Sequence, residues 1–130
     1  AVLRVKLRYL DRWNRRRAAC ARLYDQGLDK AGLSGLKPCR SAFSSHVFHI
    51  YPVRLTKRDA AVALFKERHI GCMVNYPIPL HLQKAYAGLG YRKGALPVSE
   101  RVCKEIVSLP MHPCLTPQQI MFVVDTLKEV

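Results

Sequence analysis

The chain has 130 residues, 49% of them hydrophobic, with a mean hydropathy of -0.07: one folded domain's worth of ordinary sequence, which excludes wholesale disorder. It carries 22 Lys and Arg against 9 Asp and Glu, a net charge of +13 and a pI near 10.0. No apolar run approaches the roughly 18 residues that a membrane-spanning helix needs, and no signal-peptide pattern opens the sequence.

Five cysteines, Cys20, Cys39, Cys72, Cys103 and Cys114, are odd in number and form no C-x-x-C pair. That predicts free thiols, buried as small side chains, in a reducing compartment such as the cytoplasm. Eight basic residues fall within the first 22, opposed only by Asp11. Such an excess suits a nucleic-acid surface, an anionic substrate or an acidic partner. Because the charge is partly one segment's property, a solvated or interface helix face is the preferred reading, and nucleic acid is not the expected partner.

In chain order, Leu3, Leu7, Leu10, Asn14, Ala18 and Ala21 follow helical spacing, and Val2, Val5, Tyr9, Trp13, Arg16 and Cys20 follow it on the neighbouring face. This predicts a long helix over 1–26, buried on more than one side. It runs from Ala1 with no capping residue before it, as if the chain began inside a helix. Gly27, Gly32, Gly35 and Pro38 predict a loop. Residues 46–53 read as a strand. Thr56 predicts a cap for a helix over 57–69, with Asp59 as its capping-box carboxylate and Gly71 just past its end. Residues 71–76 read as a second strand.

Two prolines, three tyrosines and a histidine then crowd together: Asn75-Tyr76-Pro77-Ile78-Pro79-Leu80-His81-Leu82-Gln83, followed by Ala85-Tyr86 and Leu89-Gly90-Tyr91. Proline cannot continue a central strand and stiffens the chain, so the strand turns into a rigid loop that presents polar side chains, as binding loops do. Gly88, Gly90 and Gly94 keep the following stretch open to turns. Pro97 opens a helix with Val98, Val102, Ile106 and Leu109 at helical spacing. Residues 109–113 read as a short strand, and Thr116-Pro117-Gln118-Gln119 as a strong helix start leading to Ile120, Val123, Val124 and Leu127. The predicted class is α+β: one domain over 1–130, with a long helix before a small, largely antiparallel sheet packed with helices over 42–130.

The residues complete no active site. His46 and His49, three apart on a predicted strand, point to opposite faces, and His69, His81 and His112 sit on separate elements, so a metal centre is not expected. A Cys-His nucleophile has no local support. Arg15-Arg16-Arg17 could contact phosphates and Tyr9 and Trp13 could stack on bases, but the latter two share a stripe that reads as core. A stand-alone basic module for nucleotides or nucleic acid is the alternative functional reading.

The segment 75–91 resembles the C-terminal small domain of the DegT/StrS family of sugar aminotransferases. The resemblance extends to Leu3-Arg4-Val5-Lys6-Leu7 through Arg17, to His46-Val47-Phe48-His49-Ile50-Tyr51-Pro52, to Arg58-Asp59, and to Ser108-Leu109-Pro110-Met111-His112-Pro113 with Leu115-Thr116. It implies the small domain of a fold-type I, pyridoxal-phosphate-dependent enzyme that aminates a keto-sugar, usually nucleotide-linked. The family's Schiff-base lysine lies in a large domain absent from this chain, and none of the nine lysines here sits in its motif. The resemblance therefore implies a fragment inactive alone, with no cofactor of its own, whose partners are the large domain and the nucleotide-sugar; the apolar stripes of the first helix add self-association of the chain as an expectation. It places Asn75, Tyr76, Pro77, Ile78 and His81 at the mouth of the active site, Tyr76 and His81 as hydrogen-bond donors and Pro77 and Ile78 as an apolar wall. Many relatives carry His where this chain has Asn75, which keeps a donor but loses a titratable charge.

Overall fold

The computed structural model describes residues 1–38 and 46–130; Cys39 and the expected boundary at 42 lie outside them. The elements run α1 (Val2–Leu7), α2 (Leu10–Lys30), β1 (Tyr51–Arg54), α3 (Arg58–Glu67), α4 (Pro97–Glu105), β2 (Ile106–Leu109) and α5 (Pro117–Leu127), with short 3-10 turns at Ser34–Leu36, Leu80–Leu82 and Lys84–Leu89. The α+β class expected from sequence is the one observed.

The long helix differs from its expected form at both ends. At Arg8 and Tyr9 the N–H groups bond to carbonyls three residues back, which tightens the backbone between α1 and α2. Val2, Leu3, Val5, Leu7, Tyr9 and Leu10 are exposed, so the first three turns are not buried on any side. Tyr9 stacks on Trp13 with ring centroids 5.9 Å apart instead of entering the core. Burial begins at Cys20 and continues through Ala21, Tyr24, Gly27 and Leu28, one stripe at helical spacing.

Gly27 lies inside α2 and not in a loop. A Cβ built on it would come within 3.1 Å of Val124 Cγ2 and 3.3 Å of Met121 Sδ, so its lack of a side chain lets α2 and α5 approach closely. The helix ends at Gly32, whose φ of 72° and N–H bond to Asp29, with Leu33 bonding to Leu28, form a Schellman stop. α3 ends by the same motif, but the left-handed residue is His69 (φ 56°), not the expected Gly71. Thr56 does not cap α3: Lys57 occupies that position, and Asp59 pairs with Arg58 at 2.5 Å.

The sheet is smaller than expected. β1 and β2 pair antiparallel in the register Tyr51↔Leu109, Pro52↔Ser108, Val53↔Val107 and Arg54↔Ile106. Residues 46–50 are not strand, so His46 and His49 do not share one. Phe48 sits instead at φ 49°, its N–H bonded to His46 Nδ1 at 2.9 Å. The expected second strand over 71–76 shrinks to one bridge, Met73 against Ser108, on the other side of β2. Pro52 thus lies on an edge strand, where a missing N–H is tolerated. Ile106 and Leu109, expected in a helix, form β2 because α4 ends at Glu105. Arg58 Nη1 donates to the Cys103 and Ile106 carbonyls at that junction, 3.3 and 3.4 Å away.

The core lies where α2, α3 and α5 meet one sheet face: Tyr24, Leu28, Tyr51, Val53, Phe65, Val107, Ile120 and Val124 are all buried. Tyr24 stacks on Tyr51 at 4.8 Å. The Tyr24 hydroxyl donates to the Pro110 carbonyl at 2.9 Å and the Tyr51 hydroxyl to Asp25 at 2.7 Å, so both buried phenols are satisfied. Burial pushes the Tyr24 hydroxyl well above its ordinary range. The α5 start matches expectation in full: Thr116 Oγ1 accepts from the Gln119 N–H at 3.2 Å and the Gln119 side chain accepts from the Thr116 N–H at 2.9 Å.

Two stability outcomes follow. Thr116→Ala removes the capping box and costs about 1 kcal/mol in urea unfolding. Gly27→Leu forces a side chain against Val124 and costs about 1–3 kcal/mol, whereas a loop position there would tolerate it.

Candidate functional site

The loop after Met73 is tied down at both ends. Asn75 Nδ2 donates to Ser108 Oγ at 2.8 Å, so this amide anchors the loop to β2 instead of projecting from it. The next residue, Tyr76, has φ 55° and is 70% exposed. A left-handed backbone on a bulky residue costs about 1–3 kcal/mol and survives only where its surroundings impose it, as functional loops do. Here the neighbours impose it: the Asn75 anchor on one side, and on the other Pro77 and Pro79, whose fixed φ leaves the chain few alternatives.

Beyond Pro79 the chain makes a 3-10 turn, and His81 turns inward until it is 8% exposed. Its Nε2 lies 3.1 Å from Glu100 Oε1 on α4. The same oxygen accepts the Gly94 N–H at 2.7 Å, and Gly94 has the φ of 95° that glycine adopts without strain. Glu100 therefore clasps two separated points of the 80–94 segment to α4. Burial acts to raise the Glu100 carboxyl, but the Gly94 N–H, the His81 side chain and the Leu96 backbone outweigh it and hold the group below its ordinary 4.5. Tyr91 meets the His81 ring edge-on at 6.1 Å.

Between this segment and α4 runs an open groove of about 840 Å³, walled by Tyr76, Leu80, Tyr86, Leu89 and Tyr91 on one side and by Val98, Val102, Cys103 and Ile106 on the other. Its polar groups are few and its walls largely aliphatic and aromatic, the composition of a ligand site. The structure thus brings Asn75, Tyr76 and His81 together at one groove. Pro77 and Ile78, expected as its apolar wall, are exposed and lie outside the lining; Pro79, Leu80 and Leu96 take that place. Sequence reasoning missed Glu100, whose only signal was an acidic residue in the first turn of a Pro-started helix.

Lysine is absent from the groove lining. Lys37, half-buried, pairs with Asp29 at 2.7 Å, and the other eight lysines are exposed. These residues do not fit a cofactor held as a Schiff base. Among the cysteines, Cys20 is buried, Cys72 and Cys103 are half-buried and Cys114 is exposed, so the expectation of buried thiols holds only in part. Burial raises the Cys20 and Cys72 thiols, which keeps them protonated and unreactive. No described helix is long and apolar enough to cross a membrane.

Solved aminotransferase structures share this fold. The Streptomyces venezuelae DesV structure, crystallised with a ketimine intermediate, superposes with a TM-score of 0.89 at 39% identity, over 98% of this chain and 34% of that one. An aminotransferase from Brucella abortus superposes at 0.86 with 30% identity, over 98% of this chain and 34% of its own. The model of the DegT/DnrJ/EryC1/StrS aminotransferase family matches residues 1–128, and the chain belongs to that family. Among curated relatives, the pleiotropic regulatory protein of Geobacillus stearothermophilus is 44% identical over 99% of this chain and 35% of its own length. The dTDP-3-amino-3,4,6-trideoxy-alpha-D-glucose transaminase of S. venezuelae is 39% identical, over 99% of this chain and 34% of its own length. The chain therefore spans about a third of the relatives it matches.

The Glu100 clasp has a pH signature. A carboxyl held below its ordinary value contributes stability above that value and loses it as pH falls through the lowered one. The stability gap between the native chain and Glu100→Gln is thus expected to be widest at neutral pH and to close below 4.5, as read by urea unfolding across the acid range.

Proposed function

We propose that the chain is the C-terminal small domain of a pyridoxal-phosphate-dependent aminotransferase that aminates a keto-sugar carried on a nucleotide, and that alone it does not turn over. The observation that carries this reading is the loop at 75–91: an exposed tyrosine on a strained backbone, at the mouth of a groove, in a chain whose relatives include a transaminase of a dTDP-sugar. Tyr76 offers its phenol to sugar or diphosphate oxygens, and Pro79, Leu80 and Leu96 pack against the apolar side of the ligand. Asn75 holds Tyr76 in place and is a ligand contact only through its carbonyl side. The Schiff-base lysine and its cofactor belong to the large domain, which in this reading also covers the exposed apolar residues of α1. The setting is the cytoplasm, where the chain's thiols stay reduced.

A second reading, a stand-alone basic module for nucleotides or nucleic acid, is favoured by one observation. Tyr9 and Trp13 stack on each other near the surface, with Arg12 and Arg16 exposed on the same helix. Gel retardation that collapses when the salt is doubled would select it.

The main reading is tested by replacing the matching third of the S. venezuelae transaminase with this chain. The chimera is expected to aminate that enzyme's dTDP-sugar, and Tyr76→Phe within it to lose about tenfold in kcat/KM, the ~1.4 kcal/mol of one hydrogen bond. The 130-residue chain alone, treated with pyridoxal phosphate and borohydride, is expected to give no stoichiometric adduct. An adduct on one lysine accompanied by turnover would overturn the claim of inactivity.

A further inference from the structure

Glu100 does more than pin the loop, because of the kind of partner a carboxylate is. When ionised it only accepts hydrogen bonds, so the contact at 3.1 Å requires the proton on His81 Nε2. In the neutral imidazole this leaves Nδ1 bare, with a lone pair and no proton. Among the described residues the His81 ring has no other hydrogen bond, and no buried side-chain nitrogen or oxygen is left without a partner. Nδ1 therefore reaches open space, and His81 lines the groove.

We propose that Glu100 is a positioning residue that sets the His81 tautomer, so that the groove is offered an acceptor at Nδ1, suited to a sugar hydroxyl and not to a diphosphate oxygen. The choice of sugar as ligand rests on the function proposed above. The expectation from sequence, with His81 as a donor, is thereby reversed. A diphosphate oxygen at neutral pH has no proton to give and would face a lone pair, whereas a hydroxyl donates to Nδ1 directly. The Glu100–His81–hydroxyl chain would orient the sugar with respect to the strained Tyr76, while Gly94, on the same carboxylate, keeps the far wall at a fixed distance.

The test is long-range proton–nitrogen NMR of the 130-residue chain at about pH 8, above the ordinary histidine range near 6.5. The proton is expected on Nε2 of His81 in the native chain and in Glu100→Gln, whose amide oxygen still accepts. In Glu100→Ala a mixture of tautomers is expected, and the Gly94 amide proton shifts upfield as its acceptor disappears. If the alanine variant unfolds, Glu100→Met keeps the packed stem without the acceptor and serves instead. A proton on Nδ1, a ring protonated on both nitrogens, or an unchanged tautomer in the variant without an acceptor would each overturn the proposal.

Titration with dTDP-glucose at millimolar concentration is expected to move the His81 Nδ1 resonance together with Tyr76, and dTDP alone to leave Nδ1 in place. Equal response to both ligands overturns the preference for a hydroxyl. Movement of Tyr76 without His81 overturns the contact while the loop keeps its proposed role. No movement anywhere in 75–91 overturns the contact and counts against the sugar-nucleotide reading as well.

Discussion

The close contact of α2 with α5 is the constraint on which the rest of the domain depends. Gly27 permits it by leaving room for Val124 and Met121, and Tyr24 extends it to the sheet by stacking on Tyr51. Because both phenols are hydrogen-bonded, to Pro110 and Asp25, the packed pair fixes direction as well as area. Apolar burial alone would hold α2 near the sheet; the two hydroxyls determine how it is rotated. β1 and β2 are then held from one face, and β2 is free to carry a function on the other side.

That other side is where the loop begins. Ser108 of β2 exchanges backbone hydrogen bonds with Met73 and receives the Asn75 amide, so the strand acts as a platform for the segment leading to Tyr76. Arg58, reaching from α3 to the carbonyls of Cys103 and Ile106, holds the junction at which α4 becomes β2. The site is thus connected to the core through β2, and to α4 through Glu100. A loop held at Asn75, His81 and Gly94 can keep a tyrosine in a left-handed conformation that a free loop would abandon.

The surface is divided in the same way. The exposed apolar side chains of α1 and the arginines of α2 lie on the early turns of the first helices, while the groove lies beyond the sheet among uncharged walls. Nearly half of the net charge of +13 falls in the N-terminal helices, where nine basic residues face three acidic ones, and the rest is spread over the other elements, so the total tells little about the groove. Eight lysines are exposed and none lines the groove.

How much of this was legible in the sequence depends on the range of the interaction involved. The Thr116-Pro117-Gln118-Gln119 start of α5, the Pro97 start of α4, the stripe through Ile120 and Val124 and the stiff proline loop are set within a few residues, and they were readable. The family resemblance named the family because several such local motifs occur in one order. Where the two readings part, a distant partner made the difference. Gly27 looks like a loop residue until α5 lies against it. Ile106 and Leu109 keep helical spacing until β1 pairs with them, and Val5 and Tyr9 look buried until nothing among the described residues covers them. His81 has no visible partner in the sequence until Glu100, 19 residues away, lies 3.1 Å from its Nε2. Local chemistry determined which residues could turn, cap or pack; only the tertiary structure decided which of them met, because those meetings join positions between which the sequence has no periodicity to show.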